Sequence, residues 1–488
     1  MRARAICAEN WTRCWRADKG RRSSANAISA TTNTSTASGL PPGRHVPVVS
    51  GAAVKGPPVA LATSVDDARP EAGGGAPRGF GEARPMVWLT GVEGVARILS
   101  FGFYLLAARV FEPQDFGVVQ YTITVAMLAF GGLQVLATAI VRELGVDRAD
   151  EARTRAVLGS SIAAAVVLWG ATSLLWLIAA SAGLGGGTDT LGLLAVLAGT
   201  AAFQVYYSIG RGLGDKRRQA ASYVGASLAQ LIAFGALAAL TNPTTTQALL
   251  IFGGSSFVPV VIYEWISPVL RGWPLTVSRD VLRRLWLLGA PLLIAQVGYL
   301  LWNSLDQLWV HGSLGSYSVG IYASAKNLSQ GLIIVPAGIT GVLLPRVAQL
   351  SSEGRSAAAR RVVILGTAGA AGVSAILALM LVVLRVPLLT DLFGSPYAGA
   401  SDALVAQACG MVCYAAFASL TMAAVGWGRP RVYTAGIAVA AALEAAGFVI
   451  FGCRSLLTAG VMYSASIALA LVFVLGLLRL RPLWGANG

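Results

Sequence analysis

The sequence predicts an all-α integral membrane protein with about twelve membrane-spanning helices. Two observations carry that reading. Twelve apolar segments run from about residue 87 to the C-terminus, and the basic residues between them fall almost wholly into every second loop. A helix needs about 20 apolar residues to cross roughly 30 Å of hydrocarbon. Only helices or closed barrels satisfy their backbone polar groups there, and these segments are too long and too continuously apolar for alternating barrel strands.

The spans fall at 87–108, 117–141, 156–181, 191–210, 222–240, 248–269, 285–309, 318–344, 362–384, 401–426, 432–452 and 456–478. Loop 2–3 carries Arg142, Arg148, Arg153 and Arg155; loop 4–5 carries Arg211, Lys216, Arg217 and Arg218. Loop 6–7 carries Arg271, Arg279, Arg283 and Arg284; loop 8–9 carries Arg346, Arg355, Arg360 and Arg361. Arg429 and Arg431 follow span 10, and Arg479 and Arg481 follow span 12, whereas the opposite side has only Arg109, Arg385 and Arg454. The positive-inside rule then puts both termini in the cytoplasm, and a missed span would scramble the alternation.

Composition agrees. Charged residues are 12% of the chain, against about 25% in soluble proteins. The net charge of +15 sits in short loops where topology and anionic lipid account for it, so no nucleic-acid partner is expected. Of five cysteines, Cys409 and Cys413 share a helix face without further ligands at metal spacing, and Cys7, Cys14 and Cys453 lie elsewhere. They read as small packing residues.

Residues 1–85 are rich in Arg, Ser, Ala, Gly and Pro and lack hydrophobic periodicity, a disordered composition. There is no apolar core preceding a cleavage site, so this is not a secretory signal. The stretch resembles an organellar transit peptide in being Arg-rich and acid-poor. A dispensable basic tail, or an over-extended start with Met86 opening the first span, is the favoured reading. The chain then divides into a six-helix lobe over 86–270, a second over 271–480, and a short cytoplasmic tail, 481–488. No loop is long enough for a soluble domain, and no phosphate-binding G-x-x-x-x-G-K-[ST] motif occurs.

The halves repeat weakly. Arg109 to Gly117 separates spans 1 and 2, and Gly312 to Gly320 separates spans 7 and 8. Gly117 precedes Arg142 by 25 residues and Gly320 precedes Arg346 by 26. Six spans per half make these parallel repeats about an axis along the membrane normal, the build of transporters that hold substrate between rocking halves.

The motifs resemble a known family. Leu105-Leu-Ala-Ala-Arg109 through Glu112-Pro-Gln-Asp-Phe-Gly117 is similar to the first hairpin of the polysaccharide-transport or oligosaccharide flippase family, in the superfamily that includes MATE exporters. Gly289-Ala-Pro291 through Asn303-Ser-Leu-Asp306 resembles its seventh span. Gly320-Ile-Tyr322-Ala-Ser-Ala-Lys326 and Leu344-Pro345-Arg346 resemble the ends of its eighth, and Gly210-Arg211-Gly-Leu-Gly214 the end of its fourth. The resemblance covers about 87–480. It implies a flippase moving a polyprenyl-pyrophosphate-linked saccharide from the cytoplasmic to the outer leaflet of the bacterial inner membrane. Its implied partners are that lipid-linked saccharide, membrane lipids and polysaccharide-assembly proteins.

Ionisable residues inside spans are costly and mark cavities or partners. Glu93 and Arg97 are four apart in span 1, hence on one face. Arg97 near mid-depth could grip pyrophosphate with its planar fork, unless Glu93 neutralises it. Asp306 and Lys326 each lie ten residues from Ser316, the centre of the turn between spans 7 and 8. They therefore sit at one depth. The pair either staples the hairpin or holds Lys326 toward the cavity. Glu264, beside Tyr263 and Trp265, suits an interfacial anchor as well as a cavity wall. Glu444 suits helix packing or a proton path. His311 falls on an outer loop, as a solvated residue.

No nucleophile–base constellation points to an enzyme, and no cofactor is expected beyond a coupling ion, H+ or Na+. A cation-coupled exporter of small molecules with the same fold is the alternative, as is a peptidoglycan-precursor flippase, usually with 14 spans. A membrane glycosyltransferase or polymerase is the reading from another class. It would want a long outer loop, and the longest here run to about 16 residues.

Overall fold

The computed structural model describes residues 83–146, 151–183, 185–266 and 275–480. Among these there are helices and no strands. The first half consists of α1 (Ala83–Val110), α2 (Pro113–Ala129), α3 (Gly131–Val146), α4 (Glu151–Ser181), α5 (Thr190–Leu213), α6 (Lys216–Leu240), α7 (Thr245–Ser255) and α8 (Phe257–Ile266). The second consists of α9 (Arg279–Gln330), α10 (Ile334–Ser352), α11 (Ser356–Val383), α12 (Ser401–Gly426), α13 (Pro430–Phe451) and α14 (Leu456–Leu480). Residues 1–82, and with them nearly all of the expected basic tail, lie outside the described residues, as do the boundary at 270 and the tail 481–488.

Ten helical stretches are long and apolar enough to cross a membrane, and α2 with α3, bent by 51°, makes an eleventh. One of the ten, Leu293–Ser352, is 60 residues long. It breaks at Gly315, where φ is 81° and ψ 176°. Divided there, the helices reproduce the twelve apolar segments of the sequence. The turn expected around Ser316 is thus a single non-helical residue, and glycine supplies the left-handed φ that side chains rarely adopt. Span 6 is likewise two pieces, α7 and α8, meeting at Ser256.

Helix boundaries follow local chemistry. Pro113 opens α2 at the position where its missing N–H costs nothing. Asp189 and Asp215 cap α5 and α6 by accepting from the backbone N–H of Gly192 at 2.8 Å and Arg218 at 3.0 Å. Thr244 and Gln247 form a reciprocal capping box on α7.

Packing relies on small residues, as expected where lipid supplies no hydrophobic drive between helices. A Cβ on Gly199 would collide with the Gly253 carbonyl, and one on Gly410 with Ser464. The halves meet mainly where α2 and α3 lie along α9, whereas α1 and α10 barely touch. Where α2 and α9 cross, Gly117 and Gly320 face each other. A Cβ on Gly117 would enter the Ser316 carbonyl, and one on Gly320 the Pro113 carbonyl. The two glycines at matching positions of the sequence repeat are therefore one contact, on the charge-poor side of the molecule.

The segment between α11 and α12 is not a plain loop. Residues 385–400 form short turns of helix that bury Leu389, Phe393 and Tyr397. Tyr397 donates to the Ala108 carbonyl at 3.2 Å and packs edge-on against Phe116. Arg109 donates to the carbonyls of Asp391 and Leu392. This segment seals the halves together beside the glycine contact. His311, expected to be solvated, is half-buried and stacks on Tyr121 at 3.8 Å between centroids. The close approach of the halves there shields one side of it.

Candidate functional site: a cleft between the halves

Below the sealed end, α1 separates from the end of α9 and the start of α10. A cavity of about 320 Å³ opens there, lined by Arg97, Ser100 and Tyr104 from the first half and Asn327, Gln330 and Ile334 from the second. A second cavity of about 190 Å³ adjoins it within the second half, lined by Tyr299, Thr340, Tyr414, Phe417 and Tyr433. The lining passes from Gly331 and Ile334 of the first cavity to Ile333 of the second.

Arg97 is exposed, and no ion pair engages it among the described residues. Glu93 lies one turn away but accepts instead from the Tyr207 hydroxyl at 3.1 Å. Tyr207 is held in turn by Tyr223, whose ring meets it edge-on at 4.8 Å. Neutralisation of Arg97 by Glu93 is not the arrangement seen, because α5 presents a competing donor to the carboxylate.

Asp306 and Lys326 come together across the Gly315 break at 2.6 Å. Lys326 also donates to the Asn303 carbonyl at 2.6 Å and lies over the Tyr463 ring at 5.4 Å. Asp306 accepts from Tyr322 at 2.8 Å and from the Gln307 backbone at 2.8 Å. Lys326 is 2% exposed and Asp306 0%. Lys326, expected as a candidate cavity residue, therefore does not line the cleft. Its neighbours Asn327 and Gln330 do. Register turns Asn327 about 100° from Lys326, whereas Gln330, four residues on and on the Lys326 face, reaches the cavity from one turn further along the helix.

Glu444 on α13 is 0% exposed, near enough to Asp306 and Lys326 to feel their charges. Neither carboxyl oxygen makes a well-aligned hydrogen bond, although the Asp306 backbone is close. The cluster holds two carboxyl groups and one ammonium. Buried charge without a partner is expensive, and Glu444 is the carboxyl group of this cluster that its surroundings leave unmatched.

Glu264 does not line the cleft. It is 6% exposed, accepts from Arg218 at 2.8 Å and from Tyr206 at 3.3 Å, and lines neither cavity of the cleft. The ion pair ties α6 to α8 inside the first half. Arg218 looked like an ordinary loop cation but is 0% exposed. Burial of one charge requires burial of its partner. Glu143 was not foreseen. It holds Arg153 at 3.1 Å and Arg284 at 3.7 Å, joining α3, α4 and α9 on the side of the basic loops. Tyr299, Tyr414 and Tyr433 were also not foreseen, because tyrosines inside apolar helices look like core. Among the described residues no cluster of His, Cys, Asp and Glu could hold a metal ion.

The fold is that of a multi-pass membrane transporter. It is similar to a multidrug resistance MATE family transporter of the MOP superfamily in an inward-facing conformation, with TM-score 0.69 and 14% identity over 81% of this chain and 96% of that one. It is also similar to the lipid II flippase MurJ in an inward closed conformation, with TM-score 0.63 and 12% identity over 80% and 87%. A MOP superfamily transporter from Pyrococcus furiosus Vc1 aligns with TM-score 0.54 and 16% identity over 83% and 97%. No curated protein sequence matches the chain. The chain belongs to the polysaccharide biosynthesis protein family, whose profile matches residues 83–351. The structural neighbours named here are transporters and a flippase.

Proposed function

We propose that this protein flips a polyprenyl-pyrophosphate-linked oligosaccharide from the cytoplasmic to the outer leaflet of the bacterial inner membrane, for surface polysaccharide export. The observation that carries the reading is Arg97: an exposed guanidinium within the membrane-spanning body, free of any ion pair among the described residues, on the wall of a cleft between the halves. Such a group is costly there unless it meets water or an anion, and its fork matches a diphosphate. The family's role in polysaccharide synthesis and the lipid II flippase among the structural neighbours support a lipid-linked saccharide. The headgroup crosses in the cleft while the lipid tail stays in the bilayer. The protein is not an enzyme in this reading. Both termini are cytoplasmic by the loop charges.

Coupling to an ion fits the second cluster. With Lys326 matched to Asp306, Glu444 is the carboxyl group left over to gain or lose a cation. A proton suits it better than Na+, which would need more oxygen donors than Glu444 alone offers. The cation-coupled exporter reading shares this cluster but leaves Arg97, a cation on the cleft wall, without a role.

The test is export of a lipid-linked saccharide in cells or proteoliposomes. Arg97→Ala is expected to cut transport at least about tenfold, which is about 1.4 kcal/mol of lost interaction. Arg97→Lys, which keeps charge but not the fork, should fall between. Wild-type export by a well-inserted Arg97→Ala protein would sink the reading.

A further inference from the structure

The smaller cavity differs in kind from the one beside it. Its wall is three tyrosines, Phe417, apolar side chains and Thr340, with no charged residue. Thr340 spends its hydroxyl on the Pro336 carbonyl of its own helix at 2.7 Å. The tyrosines come from three separate helices: Tyr299 from α9, Tyr414 from α12 and Tyr433 from α13. Their side chains are partly exposed to the cavity rather than sealed in the core.

Tyr414 is also held rigidly. Its ring stacks on Trp302 at 5.2 Å between centroids with 14° between planes, and Trp302 stacks on Tyr463 at 4.8 Å with 14°. Trp302 is fully buried and donates from Nε1 to Ser466 at 3.2 Å. A three-ring stack anchored by a hydrogen bond presents the outermost ring to the cavity. A preorganised aromatic face costs little to bind against. Apolar surface with a few placed hydroxyls is the usual make-up of a small-molecule site.

We infer that this cavity is a subsite for one neutral pyranose ring, the sugar bonded directly to the diphosphate, lying with a C–H face on Tyr414 and its hydroxyls toward Tyr299 and Tyr433. This rests on the diphosphate reading of Arg97, since the cavity that Arg97 lines passes from Ile334 to Ile333 into this one and the first sugar must follow its phosphate. The volume of about 190 Å³ suits a single ring. The uncharged wall selects against a uronic acid, whose carboxylate would lose water there without gaining a partner.

The experiment uses the full chain in nanodiscs and saturation-transfer NMR. The probes are a panel of neutral methyl glycosides (glucoside, galactoside, mannoside, rhamnoside and N-acetylglucosaminide) and methyl glucuronide. At least one neutral glycoside should bind, with strongest transfer to its ring C–H protons, and more strongly than the glucuronide. Tyr414→Ala and Tyr299→Ala should each reduce the signal at least fivefold, while Tyr414→Phe, which keeps the ring and the stack, should retain most of it. Calorimetric titration with inorganic pyrophosphate separates the two readings. Arg97→Ala should abolish that binding and Tyr414→Ala should not, which also shows that the tyrosine variant is folded. The subsite is overturned if no neutral glycoside binds, if the glucuronide binds best, or if the signal survives both tyrosine-to-alanine changes. Failure of pyrophosphate binding alone would remove the Arg97 reading and leave the sugar result standing.

Discussion

Arg97 and Lys326 are both basic residues within membrane-spanning helices, one in each half, and the fold treats them in opposite ways. Lys326 is enclosed by Asp306, the Asn303 carbonyl and the Tyr463 ring. Arg97 looks into a cavity, and the carboxylate one turn away is occupied by Tyr207. A cation at membrane depth is thus not by itself a substrate contact. Lys326 supports the break at Gly315, and the neighbouring Asn327 and Gln330 face the cleft in its place.

The comparison can be broken most forcefully at Lys326. Lys326→Met leaves Asp306 buried without its counter-ion, which typically costs about 3–5 kcal/mol. Folded yield and the thermal midpoint in detergent should both drop. Adding Asp306→Leu should restore most of the loss, because an apolar pair of similar volume is often neutral or better. A Lys326→Met protein as stable as the parent would mean the pair is not structural.

The same measurement on Arg97→Ala should show almost nothing, a change within about 0.5 kcal/mol, as for surface positions without special contacts. Transport should nonetheless fall. A large loss of stability at Arg97 would erase the distinction between the two cations.

The glycine contact sharpens the contrast between the sealed and open ends of the cleft. Gly117→Ala forces a methyl group against the Ser316 carbonyl, a strain of about 1–3 kcal/mol on the closed seam. Thr124 and Gln307 hydrogen-bond across that seam. Cysteines placed at both should cross-link readily in the parent and markedly less with Gly117→Ala. Equal yields would show that the seam does not depend on the glycines.

A partial effect on transport, smaller than that of removing Arg97, is expected at Tyr207. Tyr207→Phe removes one hydrogen bond, worth about 0.5–1.5 kcal/mol, and releases Glu93. On the same helix face Glu93 can then reach Arg97. Transport should weaken partly, and Glu93→Gln in the same protein should recover it. An unchanged rate in Tyr207→Phe would mean that Glu93 is not restrained for the sake of Arg97.

Much of this architecture was legible in the sequence, because a bilayer leaves few choices. Long apolar runs must be helices, and the segments from 87 to 478 become α1 through α14 once the breaks at Phe130, Ser256, Gly315 and Gly331–Ile333 are allowed for. Equal spacing of Asp306 and Lys326 from the turn placed them at one depth, and they meet at 2.6 Å. Residues 385–400 were harder. Leu389, Phe393 and Tyr397 recur every fourth residue, but Pro387, Gly394 and Pro396 interrupt the stretch, and α1 and α2 arriving from the other half supply much of what they pack against.

What the sequence alone determined is the helical membrane architecture, the weak repeat and the short roll of charges at depth, since each follows from hydrophobicity and spacing along the chain. Only the tertiary structure decided which charges are spent and which remain available. Glu264 is claimed by Arg218, Glu93 by Tyr207 and Lys326 by Asp306, while Arg97 stays open to the cleft. Partner choice is a matter of distance between helices far apart in sequence. Inside a membrane that choice separates a buried structural pair from a side chain that can meet a ligand.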